Sequence, residues 1–263
     1  MLSHFALRLI CGTCLMLAGI PRRTISSGFF RVQMLIVLGL GFLAFLANRS
    51  FVPPPQSSTT ISLLGLRAGL CIALGFIAFL GSIFWTLERR TGATRILLGT
   101  TLLALVTLFI SAFVTNSATL GGLPLLFLNE LTGTLLLGGA LTGMLLGHSY
   151  LTTPTMSIAP LSRINLYFGI GAVLKGILCA AVLLLGLKPP LTLTSLSLTT
   201  GTMLALRLLA GILAPLVLSL MTWQILKYKN TQAATGVLFV GVILTFIGEL
   251  VAAILQHELH LPL

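Results

Sequence analysis

"TGVLFVGVILTFIGELVAAILQ" (residues 235–256) is an apolar run whose only charged member is Glu249. Its apolar residues do not alternate with period two, which argues against a barrel strand. As a helix rising 1.5 Å per residue it is long enough to cross a hydrocarbon core of roughly 30 Å. The rest of the chain has the same character: 57% of residues are hydrophobic, 7% are charged and the mean hydropathy is +1.11. Soluble domains carry about 25% charged residues. Because lipid cannot satisfy free backbone groups, such a chain must span as helices or as a closed barrel, and continuous runs choose helices. The composition therefore predicts an all-α integral membrane protein.

Seven further runs of this kind bring the predicted crossings to eight: 5–20, 32–47, 65–87, 96–115, 126–147, 164–187, 202–226 and 235–256. No appreciable soluble domain is left between them. The first run resembles a signal peptide only superficially, since Arg8 interrupts it and Pro21, Arg22 and Arg23 follow it, so it is read as a retained helix.

Lys and Arg are retained in short cytoplasmic loops, so their distribution fixes an orientation. Arg22, Arg23, Arg31, Arg89, Arg90, Arg95, Arg163, Lys227 and Lys229 fall in four alternate connections. The opposite connections hold only Arg49 and Lys188, with Arg67 at the edge of the third crossing. Both termini are then expected outside and the four basic loops inside. The net charge of +11 is dispersed over these loops without a basic stripe, which argues against nucleic acid as a partner and for topology signalling. The partners it suggests are membrane lipids, anionic headgroups above all, and other membrane subunits.

The chain also carries traces of a duplication. "VPPPQSSTTISLLGLRAGL" (52–70) matches "LKPPLTLTSLSLTTGTMLALRLLAG" (187–211): a Pro cluster, a Ser/Thr-rich stretch, then an apolar segment holding one arginine, Arg67 or Arg207. Downstream, Trp85 pairs with Trp223 and Thr91 with Thr231. Upstream, Gly19 pairs with Gly147 and Arg31 with Arg163. The prediction is two tandem four-helix repeats, 1–120 and 121–263. Four crossings return the chain to its starting side, so the repeats would be parallel, with their axis along the membrane normal. Shared low complexity is the competing explanation of these matches.

Ionisable groups at membrane depth need a partner or a wet cavity. Arg8, Arg67, Glu130, Arg207 and Glu249 are expected in the outer half, where Arg207 and Glu249 on sequential helices can pair. Two readings stay open. Either the arginines snorkel to the outer headgroups and Glu249 belongs to a structural ion pair, or Glu249 and Lys175 line a cavity that handles protons or a polar ligand. Lys175 is placed too deep to snorkel. Cys11 and Cys14 have CxxC spacing, but an apolar setting suppresses the thiolate that exchange requires, and no further CxxC or CxxH completes a zinc site.

"GHSYLTTPTMSIAPLSR" (147–163) is the most polar inner connection. His148, Ser149 and Tyr150, with Thr152, Thr153, Thr155, Arg163 and Tyr167, offer neutral donors and acceptors beside apolar helix walls. Such a cluster suits the head of a quinone, a lipid headgroup or a pigment; His148 could serve as a single axial ligand to haem or a chlorophyll-type pigment, whereas bis-histidine haem lacks a second ligand. An interfacial aromatic belt and a stiffened turn would use the same residues. No hydrolase triad or nucleotide-binding glycine motif accompanies it. The sequence thus predicts a non-catalytic or accessory subunit binding a quinone, lipid or pigment at the inner face of the second repeat, in an electron-transport complex. The alternative is a small-molecule or proton-coupled transporter whose two parallel repeats rock around Lys175 and Glu249.

Overall fold

The computed structural model describes residues 2–49, 58–115, 123–153, 156–186 and 198–259. Among them the helices are α1 (Leu2–Gly19), α2 (Ser27–Arg49), α3 (Ser58–Thr86), α4 (Arg90–Thr115), α5 (Leu123–Thr152), α6 (Ala159–Gly186), α7 (Leu198–Leu208), α8 (Ala214–Lys227) and α9 (Thr231–Leu259). A π-helical turn, Leu209–Leu213, joins α7 to α8, so the two form one crossing. Eight helices are then long and apolar enough to span a membrane.

Most helices run several residues beyond the apolar windows, because hydropathy marks the part that suits lipid and not the polar turns that start and stop a helix. Asn230 is an example: its Oδ1 accepts from the Ala233 N–H at 3.0 Å and caps α9, which begins at Thr231, ahead of the apolar run at 235. Ser26 plays the same part for α2, its Oγ accepting from the Phe29 N–H. The largest consequence is at the end of α5. The helix continues to Thr152, so His148, Ser149 and Tyr150 lie on its last turns and not in a connection. The helix ends just ahead of Pro154, which disfavours the α conformation in the residue before it. Pro154 and Thr155 lie outside the described residues, as do the Pro clusters used to align the two halves.

The chain divides into two compact units, Met1–Glu130 and Leu131–Leu263. In the first, α1 packs on α2, α2 on α3, α3 on α4 and α4 back on α1. Small residues let the backbones close up: a Cβ on Gly41 of α2 would sit 3.4 Å from both the Cys71 carbonyl and the Gly75 nitrogen of α3. Trp85 is buried and stacked on Phe30, with ring centroids 4.3 Å apart.

The second unit uses glycine at several of its interfaces. Gly139 of α5 lies against the Phe168 backbone of α6, and Gly147 of α5 lies against Thr235 of α9. Between α6 and α8, the Asn165 amide donates to the Ser219 carbonyl and the Ser219 hydroxyl donates to the Asn165 carbonyl, at 2.9 and 3.2 Å. Gly211, in the π turn, meets Gly248 of α9 so closely that a Cβ on either would overlap the other backbone.

The π turn has a local cause. Pro215 has no N–H to give to the carbonyl four residues earlier, and its ring would clash there in a regular α-helix. The turn widens instead, and the Ala214 N–H reaches the Leu209 carbonyl five residues back.

Large apolar side chains remain on the outside of both units. Phe42, Phe76, Leu102, Ile177 and Phe239 are each more than half exposed. Polar and charged side chains are meanwhile found inside. This distribution suits a hydrocarbon solvent.

Candidate functional site

Buried charged groups gather in one place in each unit. In the first, the Arg8 guanidinium donates from Nε and Nη2 to the two carboxylate oxygens of Glu130, both at 2.6 Å, a bidentate pair that neither group shares with bulk solvent. His4 lies between two helices: Nε2 is 2.7 Å from Glu130 Oε2 and Nδ1 is 2.9 Å from Ser111 Oγ. Arg67 continues the chain, donating from Nη1 to Ser111 Oγ at 3.3 Å and from Nε to Asn48 Oδ1 at 2.7 Å, with Nη2 directed to the same oxygen. The Asn48 amide donates to the Leu64 carbonyl. Asn48, Arg67, Ser111, His4, Glu130 and Arg8 are thus linked continuously.

The arginines do not snorkel. Arg8, Arg67 and Arg207 are 4%, 6% and 0% exposed, and each turns inward to a hydrogen-bond acceptor. His4, close to the N-terminus, is also drawn into the interior. Asn48 and Ser111 were not distinguished in the sequence at all; their signal was a polar side chain in an apolar run, at helix positions level with Arg67.

In the second unit Arg207 Nη1 is 2.9 Å from Glu249 Oε1, and both side chains are fully buried. The pair inferred from helix depth is therefore present. Lys175 is also buried, at 1% exposure. It lies one turn before Cys179 on α6, and Arg207, Lys175 and Glu249 all act electrostatically on the Cys179 thiol, which places the three charges in one neighbourhood. Cys179 itself packs with Ile212 of the π turn and Leu255 of α9.

The residues of 147–163 are arranged differently from a converging pocket. His148 and Arg163 are exposed, and Tyr167 is half-buried. Tyr150 is buried, and its hydroxyl donates to the Ser157 carbonyl at 2.5 Å, closing the turn between α5 and α6. Ser149 Oγ donates to the Leu146 carbonyl, and Thr152 and Thr153 both donate to the Ser149 carbonyl. These hydroxyls satisfy their own helix end. Gln224 and Gln232, at the ends of α8 and α9 that flank their shared turn, are exposed.

Cys11 and Cys14 are buried on α1 and form no disulfide. Among the described residues no three His, Cys, Asp or Glu side chains are grouped closely enough to hold a metal ion. A groove of about 310 Å³ between α2 and α3 is lined by Leu38, Phe42, Cys71 and Phe76 and holds none of the charged groups. With this geometry in view, the chain matches no protein-family model, no curated protein and no solved structure.

Proposed function

We propose that the chain is a multi-pass integral membrane protein that moves a small polar or charged solute through its second four-helix unit, as one half of a tandem pair. The observation that carries this reading is the fully buried Arg207–Glu249 pair with Lys175 beside it. Charges inside an apolar bundle are costly, and unlike Arg8, which is bound twice by Glu130, Arg207 gives Glu249 one hydrogen bond and has two donors to spare, which favours handling of a solute over a purely structural clamp.

Two features support the duplication. Each unit has its third crossing between the second and the fourth, and in each the arginine of the third crossing, Arg67 or Arg207, reaches an acceptor on the fourth, Ser111 or Glu249. Each also makes the same turn into its fourth crossing. Among the described residues Glu88 and Lys229 are the two non-glycine residues with positive φ, 54° and 56°, and each carbonyl accepts from the N–H two residues on, Arg90 or Thr231. Among the described residues the first unit has no π turn, which supports reading the second as the specialised copy.

Flux measured in proteoliposomes tests the proposal, with Glu249→Gln as the informative variant. Uptake of small ions or amino acids by the wild type and its loss in the variant are expected; wild-type liposomes as tight as empty ones would end this reading.

The quinone-, lipid- or pigment-binding reading, with the chain as an accessory subunit of an electron-transport complex, retains one supporting observation: His148 is exposed on the last turns of α5, where an amphiphile or another membrane subunit can reach it. Ser149 and Tyr150 no longer add to it, since their hydroxyls are engaged locally. Extraction of purified wild type and His148→Ala for quinones and chromophores decides it: an amphiphile retained by the wild type and lost from the variant is expected, and empty extracts from both would sink it.

A further inference from the structure

We infer that the second unit binds a small monovalent anion beside Arg207, between α6, the π turn and α9. This deepens the transport reading by naming its solute class, and it begins from the guanidinium. Arg207 is fully buried, yet among the described residues its Nε and Nη2 have no hydrogen-bond partner; only Nη1 is engaged, by Glu249. A buried donor left unpaired is costly, and more so on a charged group, so two on one guanidinium mark a place where an acceptor belongs.

The charge sum gives the sign of that acceptor. With Lys175 kept protonated by the Glu249 carboxylate in its neighbourhood, Arg207 and Lys175 contribute two positive charges and Glu249 one negative. Glu258 is the other glutamate of the second unit, nine residues further along α9 and so about 13 Å away along the helix axis. One positive charge is left over in an interior of low dielectric, where an anion is held more strongly than in water.

The backbone supplies the setting. Gly211 gives the guanidinium its place, since a Cβ there would sit 2.8 Å from Arg207 Nη1. The π turn that contains Gly211 is the one irregular turn in this crossing, and such turns are frequent at functional sites. Gly176 of α6, next to Lys175, faces Ile212 of the same turn. The lysine-bearing face of α6 and the turn after Arg207 are therefore neighbours.

Chloride is the probe. Purified full-length protein in detergent is titrated with chloride against a gluconate background of constant ionic strength, and binding is read from chlorine NMR line broadening and from the thermal midpoint. The wild type should broaden the line saturably, with bromide competing and gluconate not, and chloride should raise the midpoint. Lys175→Met, which removes one cation and leaves an apolar side chain, should weaken binding by about tenfold or more. Glu249→Gln should tighten it by a similar factor, because it raises the local charge by one. A wild type without saturable broadening, a Lys175→Met variant with unchanged affinity, or a Glu249→Gln variant that binds more weakly would each overturn the site. Chloride binding without flux would remove the transport reading and leave the site standing. Flux without chloride binding would do the reverse.

Discussion

Arg8 and Arg207 each meet a glutamate out of contact with solvent, but the two pairs differ in how the guanidinium is used. Arg8 gives two parallel hydrogen bonds to Glu130, whereas Arg207 gives Glu249 one and keeps Nε and Nη2 aside. The first is the geometry of a structural clamp, and it can be tested as one. Glu130→Ala should lower stability by about 3–5 kcal/mol, and Arg8→Met combined with Glu130→Leu should recover most of the loss, because the double change removes both charges and keeps the volume. Thermal unfolding in detergent checks this, and a double variant no better than the single would show that the charges are needed for more than packing. At this scale the sequence was informative about charge and poor about partners. Arginine and glutamate are conspicuous in an apolar run, so Arg67, Lys175, Arg207 and Glu249 were visible. Asn48 and Ser111 were not, because a short polar side chain in a helix bonds its own backbone as readily as a distant group. Thr107 does so with the Leu103 carbonyl at 2.7 Å. The same ambiguity inflated 147–163: Ser149, Thr152 and Thr153 looked like a donor cluster and are bonded to the carbonyls of their own helix end.

Among the elements, the two turns that lead into α4 and α9 show how far local sequence can mislead. Glu88 and Lys229 adopt left-handed backbone conformations with φ of 54° and 56°, where glycine is the usual choice, and nothing in "TLERRT" or "KYKNTQ" announces it. The strain is about 1–2 kcal/mol per residue and is carried by the turn geometry the helices impose. Glu88→Gly and Lys229→Gly should therefore be neutral or more stable by up to about 1 kcal/mol, and a β-branched valine at either position should be destabilising. Thermal midpoints of the four variants check this. Glycine lowering both midpoints would mean that the side chains, and not the backbone, hold these turns. The π turn offers a second handle. Its cause, Pro215, was legible, but a proline in a predicted crossing can kink, end or widen a helix, and the sequence does not choose among these. Pro215→Ala restores the missing N–H, so the helix should revert to a regular α-turn and the thermal midpoint should rise. One residue of wider turn is then lost, which rotates Arg207 relative to α8 and Glu249, and flux should fall. Increased stability with unchanged flux would separate the π turn from function.

For the whole molecule the sequence was most reliable where the solvent decides the answer. Apolar length predicts eight spanning segments because lipid tolerates nothing else, and eight helices of that length and apolarity are present. Which side each turn faces depends on the distribution of Lys and Arg, a bias exerted during insertion that leaves no mark on packing. It is therefore tested by access. In a background with Cys11, Cys14, Cys71 and Cys179 replaced by alanine, single cysteines at Arg23, Arg90, Arg163 and Lys229 should escape an impermeant maleimide in intact cells and react once the membrane is opened. These positions are exposed, so burial cannot account for their protection. Leu198, at the start of α7 and 89% exposed, lies at the opposite end of its crossing from Lys229, and a cysteine there should react in intact cells. The reverse pattern would invert the chain in the membrane and move the Arg207–Glu249 level from the outer half to the inner. A mixed pattern, in which Arg23 and Arg90 differ from Arg163 and Lys229, would mean that α4 or α5 does not cross the membrane, so that an odd number of crossings separates the two halves. The repeats would then be antiparallel, and the parallel pairing of Arg67 with Arg207 would have to be abandoned.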